Sequence, residues 1–464
     1  MRTLRSLVLA SFAVVVLAAA ACSSSAQQPA PAVRVSGDWH GNVEVPNDPI
    51  AVGVTFTEDG TATIDIPLQG IADAPLSEVK ADQDNVTFAL PKVAGNPTYQ
   101  GKYDKGSDSI LGRLTQSGKT FPLNLTHGRV ELPPRPQQPR PPFPYKSEDV
   151  TYRSGDITIA GTLTEPNTPG THPAVLLIPG SGAVDRDEEI LGHKPFLLLA
   201  DTLTRAGYVV LRSDKRGVGG TGGDLQDSDY NDLANDIGAG VAFLRGRPEI
   251  DGKRIGLLGH SEGGYLAPLY AARPDSGVAF AILMAGPAVP GSDVIQEQTQ
   301  LILTAQGVQP DVIGKQIGYQ SALASVLRVG DLEAARTLAH QYNDSLPADE
   351  RQSNEAVDAS VSIYMQALSN YDPAPALSAL RMPVLAFFGS KDLQVPPAQS
   401  EGPMRALLAK DPDATVHVFD GLNHLMQPAD KGTPDEYAKI QITIDPQVLT
   451  YITAWLTQRF PPNG

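Results

Sequence analysis

Cysteine is nearly missing from this chain: Cys22 is the only one in 464 residues. No internal disulfide can form, so any fold must rest on its apolar core. Runs of positive charge are missing too. The 36 Lys and Arg stand against 52 Asp and Glu, a formal net charge of -16. That excludes a sequence-independent grip on nucleic acid, because phosphates demand clustered cations. No cluster has zinc-ligand spacing, and no Gly-rich loop carries a phosphate-binding lysine, so no metal or cofactor is expected. What is present is the composition of a globular protein, with 41% apolar and 19% charged residues. The length calls for two or three domains.

The first residues read as a targeting signal. Arg2 and Arg5 form a positive segment, and residues 7–21 are apolar or small without interruption. The stretch is short of the roughly 20 apolar residues that a membrane span needs. Ala19, Ala20 and Ala21 lead into Cys22. This resembles the lipobox of bacterial lipoproteins, with Ala19 where that motif prefers Leu. The resemblance implies a signal peptide over 1–22, lipidation of Cys22, and an exported protein. Acyl chains would hold it to a bacterial membrane, on the periplasmic or cell-surface side. Residues 23–32, rich in Ser, Gln, Pro and Ala, form a flexible tether.

Beyond the tether the hydrophobic period changes twice. Over residues 33–130 it is that of short strands: Val52, Val54 and Phe56 alternate before a turn at Glu58-Asp59-Gly60, and Ile64 and Ile66 alternate after it. Residues 86–90, 110–114 and 121–125 repeat the pattern, the last two around Ser117-Gly118. The segment predicts a small antiparallel barrel or sandwich, with Trp39 as a core aromatic. Residues 131–145 form a Pro-rich linker, with seven prolines within 132–145, a composition suited to a semi-rigid spacer. From 146 to 464 buried-strand runs alternate with helical patterns. A hairpin over 150–164 opens the series, and runs at 174–178, 208–211, 255–258, 279–284, 384–388 and 415–419 follow. That predicts an α/β fold, a mostly parallel sheet with helices on both faces. Helical patterns at 294–306, 331–341 and 354–368 imply a helical cap inserted at about 290–380.

The chemistry concentrates where the run 255–258 meets Gly259-His260-Ser261-Glu262-Gly263. A strand entering G-x-S-x-G, with a helix-compatible stretch after it, is the nucleophile elbow. Its glycines permit a turn too sharp for side chains, and the serine hydroxyl is lifted to the crest of the sheet. A hydroxyl is a weak nucleophile until a base takes its proton. In this fold the acid and then the histidine follow the serine in sequence. Asp392 turns away just after the run 384–388, whereas Asp411 and Asp413 precede a strand. His424 lies just past the last strand, whereas His417 lies inside it. Backbone donors for an oxyanion are expected from Glu262, after the nucleophile, and from Pro179-Gly180-Ser181-Gly182, with Ser181 preferred and Gly182 second.

The stretches PGSGAVDRDE (179–188), SDKRGVGGTGG (213–223), GLLGHSEGG and GLNH resemble bacterial α/β hydrolases of the serine aminopeptidase S33 type and EstD-like esterases. The resemblance covers nearly everything from 145 onward, and it implies an α/β-hydrolase fold and metal-free hydrolysis of carboxylic esters. The expected partner is therefore a small acyl ester. A rival is an aminopeptidase or other amide hydrolase, and a further one is a non-catalytic surface binding protein on a retired scaffold. Asp185, Arg186 and Asp187 are expected to brace the oxyanion loop by a salt bridge. Glu262 is expected to pair with Arg186 or Arg216. His193 reads as a loop or helix-start residue.

Overall fold

The computed structural model describes residues 35–462, apart from 47–48, 70, 83, 92, 94, 131–133 and 348–349. The expected signal segment, Cys22 and the tether lie outside the described residues. Among the described residues no helix is long and apolar enough to cross a membrane. They divide into two compact units, 35–134 with 337–358, and 135–336 with 359–462.

Within the first unit, residues 35–134 are all-β. Its strands are β1 (Gly37–Val43), β2 (Ile50–Phe56), β3 (Ala62–Ile66), β4 (Ile71–Pro75), β5 (Ser77–Asp82), β6 (Asn85–Ala89), β7 (Thr98–Asp104), β8 (Ser109–Gln116) and β9 (Lys119–His127). They join in one antiparallel sheet, β4-β3-β2-β1-β9-β8-β7-β6-β5. Its two edges, β4 and β5, are separated in the chain by Leu76 alone, so the sheet curls back on itself, and the described strands of this segment form that one sheet. Alternation drives this. In β3 and β9 every second residue is buried, which puts one face toward Trp39, Phe88, Tyr99 and Leu123 in the core. Trp39 is fully enclosed and sits edge-on to Tyr103. Ser117 and Gly118 both have positive φ, 50° and 71°, as a two-residue hairpin turn requires.

The second unit opens with a hairpin, β10 (Lys146–Ser154) and β11 (Ile157–Glu165). There follow β12 (His172–Ile178), α1 (Pro195–Arg205), β13 (Val209–Ser213), α2 (Tyr230–Arg245), β14 (Ile250–His260), α3 (Gly263–Ala271) and β15 (Ala281–Met284). Six helices come next in the chain: α4 (Gly291–Ala305), α5 (Pro310–Val329), α6 (Leu332–Ser345), α7 (Asn354–Ala359), α8 (Ile363–Asn370) and α9 (Ala374–Ala379), of which most of α6 and α7 falls in the first unit. The chain then makes β16 (Val384–Gly389), α10 (Pro397–Leu407), β17 (Ala414–Phe419), α11 (Pro434–Tyr437) and α12 (Pro446–Arg459). The sheet order is β10-β11-β13-β12-β14-β15-β16-β17, parallel from β13 onward.

Every residue of β12 is buried, because a central parallel strand is covered on both faces. Leu176 and Ile178 face a core shared with α2 and α3, and Val175 and Leu177 face one shared with α1 and α12. Each such side chain contributes roughly 1.5–3 kcal/mol by leaving water. α2 begins at a reciprocal cap: the Asp229 carboxylate accepts from the N–H of Asn231 and Asp232, and Asp232 returns a bond to the Asp229 N–H. The pattern over 354–368, expected as one helix, is two. The chain breaks after α7, and Ser362 caps α8 by accepting from the Met365 N–H.

The Pro-rich segment is bonded to this unit from Arg135 onward. The Arg135 guanidinium donates to the carbonyls of Leu191, Ala438 and Ile440. Gln137 joins the Ile444 carbonyl and the Thr443 N–H. His193 is a buried structural residue between the Thr443 hydroxyl and the Tyr437 carbonyl, and burial pushes its pKa down to about 4.

Candidate active site

Because β12 to β17 run parallel, the loops leaving their C-terminal ends gather along one edge of the sheet. Ser261 leaves β14 there, Asp392 follows β16 and His424 follows β17. The turn 179–182 follows β12, and Lys215 follows β13.

The elbow is built by steric demand. A Cβ on Gly259 would lie 2.0 Å from the Gly263 carbonyl oxygen, and one on Gly263 would lie 2.1 Å from that of Ile178. Ser261 between them adopts φ +54°, a left-handed conformation that costs a non-glycine residue about 1 kcal/mol or more. Two bonds hold it: the Ser261 N–H donates to the Met284 carbonyl (2.9 Å), and the Gly264 N–H donates to the Ser261 carbonyl (2.8 Å).

The loops carrying Asp392 and His424 lock together just beyond. A side chain on Gly389 would strike the Leu422 carbonyl, and the Lys391 N–H donates to that carbonyl at 2.9 Å. The buried Asn423 carboxamide accepts from the N–H of Leu425 and Gln427 and donates to Gln427 Oε1, which fixes the turn carrying His424. His424 Nδ1 lies 2.8 Å from Asp392 Oδ2. Asp392 Oδ1 accepts from the N–H of Gln394 and Val395, both at 2.8 Å. Both side chains are almost entirely buried. His417, by contrast, stacks on Tyr451 within its strand, and Asp413 pairs with Arg459.

His260 completes the connection between these loops. Its Nδ1 lies 2.9 Å from Glu188 Oε1, and its Nε2 lies 3.1 Å from the backbone carbonyl of His424. Burial alone would lower the His260 pKa, but the Glu188 charge outweighs it and holds the pKa above the ordinary value. Its two ring nitrogens thus face a carboxylate and a carbonyl. Glu188 Oε1 also accepts from the Gly180 N–H at 2.7 Å. Neither residue was foreseen from sequence. Glu188 was visible only as the end of the PGSGAVDRDE stretch.

A salt bridge braces the loop beside the turn 179–182: Arg186 Nε and Nη2 reach the two carboxylate oxygens of Asp214 at 3.0 and 2.7 Å. Asp187 pairs with the buried Arg212. The partner expected for Glu262 is corrected. It is neither Arg186, which is held by Asp214, nor Arg216, which is held by Asp236. It is Lys215, whose Nζ lies 2.6 Å from Glu262 Oε2. The hydroxyls of Tyr230 and Tyr364 also donate to this carboxylate, at 2.9 and 3.0 Å. Gly182, the second choice after Ser181 for the donor from this turn, gives its N–H to the Tyr364 hydroxyl at 2.8 Å. Tyr364 comes from α8, which packs on α2, α4 and α5. Ser181 and Glu262 donate their N–H groups to no acceptor among the described residues. No group of three or more His, Cys, Asp or Glu among the described residues could hold a metal ion.

Comparison with known proteins places these loops in context. A family described as serine aminopeptidase, S33 matches residues 194–428, which include Ser261, Asp392 and His424. Esterase EstD of Thermotoga maritima is 28% identical over 362 residues, covering 77% of this chain and 78% of its own length. Among solved structures, the α/β hydrolase GrgF from Penicillium sp. sh18 is 19% identical, with a TM-score of 0.43 over 68% of this chain and 99% of its own. The Pyrococcus furiosus esterase Pf2001 is 16% identical, with a TM-score of 0.43 over 72% of this chain and 99% of its own.

Proposed function

The chain belongs to the serine aminopeptidase S33 family of hydrolases, and we propose that it is a carboxylic ester hydrolase with Ser261 as nucleophile, His424 as base and Asp392 as its orienter. The observation that carries this is the buried Asp392–His424 pair, at the edge of the sheet where the elbow presents Ser261. Asp392 Oδ2 accepts from His424 Nδ1, which leaves Nε2 unprotonated and able to accept the serine proton. Ser261 Oγ attacks the ester carbonyl, and the negative charge that develops on its oxygen falls to the N–H groups of Ser181 and Glu262. Collapse releases the alcohol with the proton from His424. Water, deprotonated by the same imidazole, then cleaves the acyl-serine.

The helices α4 to α9 between β15 and β16 are read as a cap, supported by the reach of Tyr364 to Gly182 and Glu262. Such a cap would shape the acyl pocket and limit water.

An ester is favoured over an amine-bearing peptide by local charge. Binding a free α-ammonium needs an available carboxylate, yet Asp187, Asp214 and Glu262 are each held by a Lys or Arg side chain and Glu188 by His260. Short-chain p-nitrophenyl esters should therefore turn over at least about 100-fold faster than aminoacyl anilides, in kcat/KM. Preferential cleavage of the anilides would reverse the assignment to amide hydrolysis.

Arg2, Arg5 and the apolar run before the lone Cys22 support export and lipid anchoring at that cysteine. Metabolic palmitate labelling should then be lost in Cys22→Ser; label retained there would end the proposal.

A further inference from the structure

The turn after β12 offers three N–H groups, and side chains occupy two. That of Gly180 goes to Glu188 Oε1 and that of Gly182 to the Tyr364 hydroxyl. The remaining one, on Ser181, is aimed from the opposite edge of its own peptide unit. The Gly180 carbonyl accepts a bond from Lys215 Nζ at 2.6 Å. A trans peptide is planar, with its C=O and its N–H pointing in opposite directions. An ammonium fixed on Gly180 O therefore aims Ser181 N–H away from itself. The same Nζ is 2.6 Å from Glu262 Oε2, the side chain of the residue bearing the second donor. Lys215 is buried, and its Nζ sits over the Tyr364 ring at 5.6 Å.

We propose that Lys215 is a positioning residue of the oxyanion hole: its buried ammonium orients the Gly180–Ser181 peptide and ties it to Glu262, so that the two N–H donors keep one spacing. This rests on the serine-hydrolase reading above. A second effect acts in the same direction. A cation on a carbonyl oxygen polarises its amide, and in a low-dielectric surrounding that strengthens the N–H as a donor. Neither effect requires Lys215 to touch substrate. Both act when negative charge develops, so they belong to kcat and not to substrate binding.

The test compares wild type with Lys215→Met and with the double variant Lys215→Met/Glu262→Gln. The second exists because removing one member of a buried pair leaves an uncompensated charge, which can prevent folding, whereas removing both charges does not. On a short-chain p-nitrophenyl ester, kcat should fall about 10- to 100-fold in each folded variant, with KM within about twofold of wild type. Affinity for an alkyl trifluoromethyl ketone, which forms an oxyanion on the serine, should fall by the same factor as kcat/KM. A loose fold would raise KM as well and would not hold these two losses equal. Wild-type kcat and ketone affinity in either folded variant would overturn the role of Lys215. Ser261→Ala assayed in parallel separates the two readings. Retained turnover there overturns the nucleophile, while loss there with normal Lys215→Met overturns the lysine alone.

Discussion

Ser261→Ala is expected to lower kcat for p-nitrophenyl esters by about 10⁶-fold, with the fold intact. The size follows from what a lost nucleophile leaves behind. The backbone N–H groups of Ser181 and Glu262 would remain, and on the proposed mechanism such remnants support only about 10³–10⁴-fold catalysis over water. The intact fold follows from the bonds at this position. The Met284 and Gly264 contacts of residue 261 are made by its backbone N–H and carbonyl, and alanine retains both. Alanine meets the same positive φ as serine, so backbone strain does not grow. A fluorophosphonate probe should label the wild-type serine and fail to label the variant, while the two share one melting temperature. Ester turnover within tenfold of wild type would remove Ser261 from the mechanism, and with it the roles given to His424 and Asp392.

Much of this site was legible because parallel strands advertise themselves. Residues 174–178, 255–258 and 384–388 are continuous apolar runs, buried on both faces, and all three are strands of the central sheet. Once such runs are ordered, a functional residue just past a run must lie at the loop edge, which separated Asp392 from Asp413 and His424 from His417. The β-unit was read less completely. Its strands β4, β5 and β7 carry few consecutive or alternating apolar residues, and their pairing is set by neighbours in the sheet. Side-chain partners were the least legible. Asp214, Lys215 and Arg216 are consecutive and lie in the turn just past β13. Arg216 turns to Asp236 on α2 while Lys215 turns to Gly180 and Glu262, a difference that charge alone does not reveal. His260 and Glu188 lie 72 residues apart, and Tyr364 lies 102 residues from Glu262. Only the fold brings such pairs together.

Asp392→Asn should cost about 10⁴-fold in kcat although it changes one oxygen to nitrogen. The surroundings decide which way the new amide faces. Asp392 Oδ1 accepts from two backbone N–H groups, those of Gln394 and Val395. An amide NH₂ placed there would set donors against donors, so the asparagine must keep its carbonyl oxygen on that side. Its NH₂ then occupies the place of Oδ2 and faces His424 Nδ1, which today lies 2.8 Å from a carboxylate oxygen. Facing a donor, Nδ1 must accept, and the neutral ring carries its proton on Nε2 instead. That is the nitrogen required to take the proton from Ser261, so the base is blocked by tautomer with its position unchanged. Two measurements separate this from simple damage. KM and melting temperature should stay near wild type while kcat collapses, because neither the pocket nor the loop packing has changed. ¹⁵N chemical shifts of the His424 ring should show the protonated nitrogen moving from Nδ1 to Nε2. A variant with wild-type kcat, or one whose ring keeps its proton on Nδ1, would show that Asp392 does not set the state of the base.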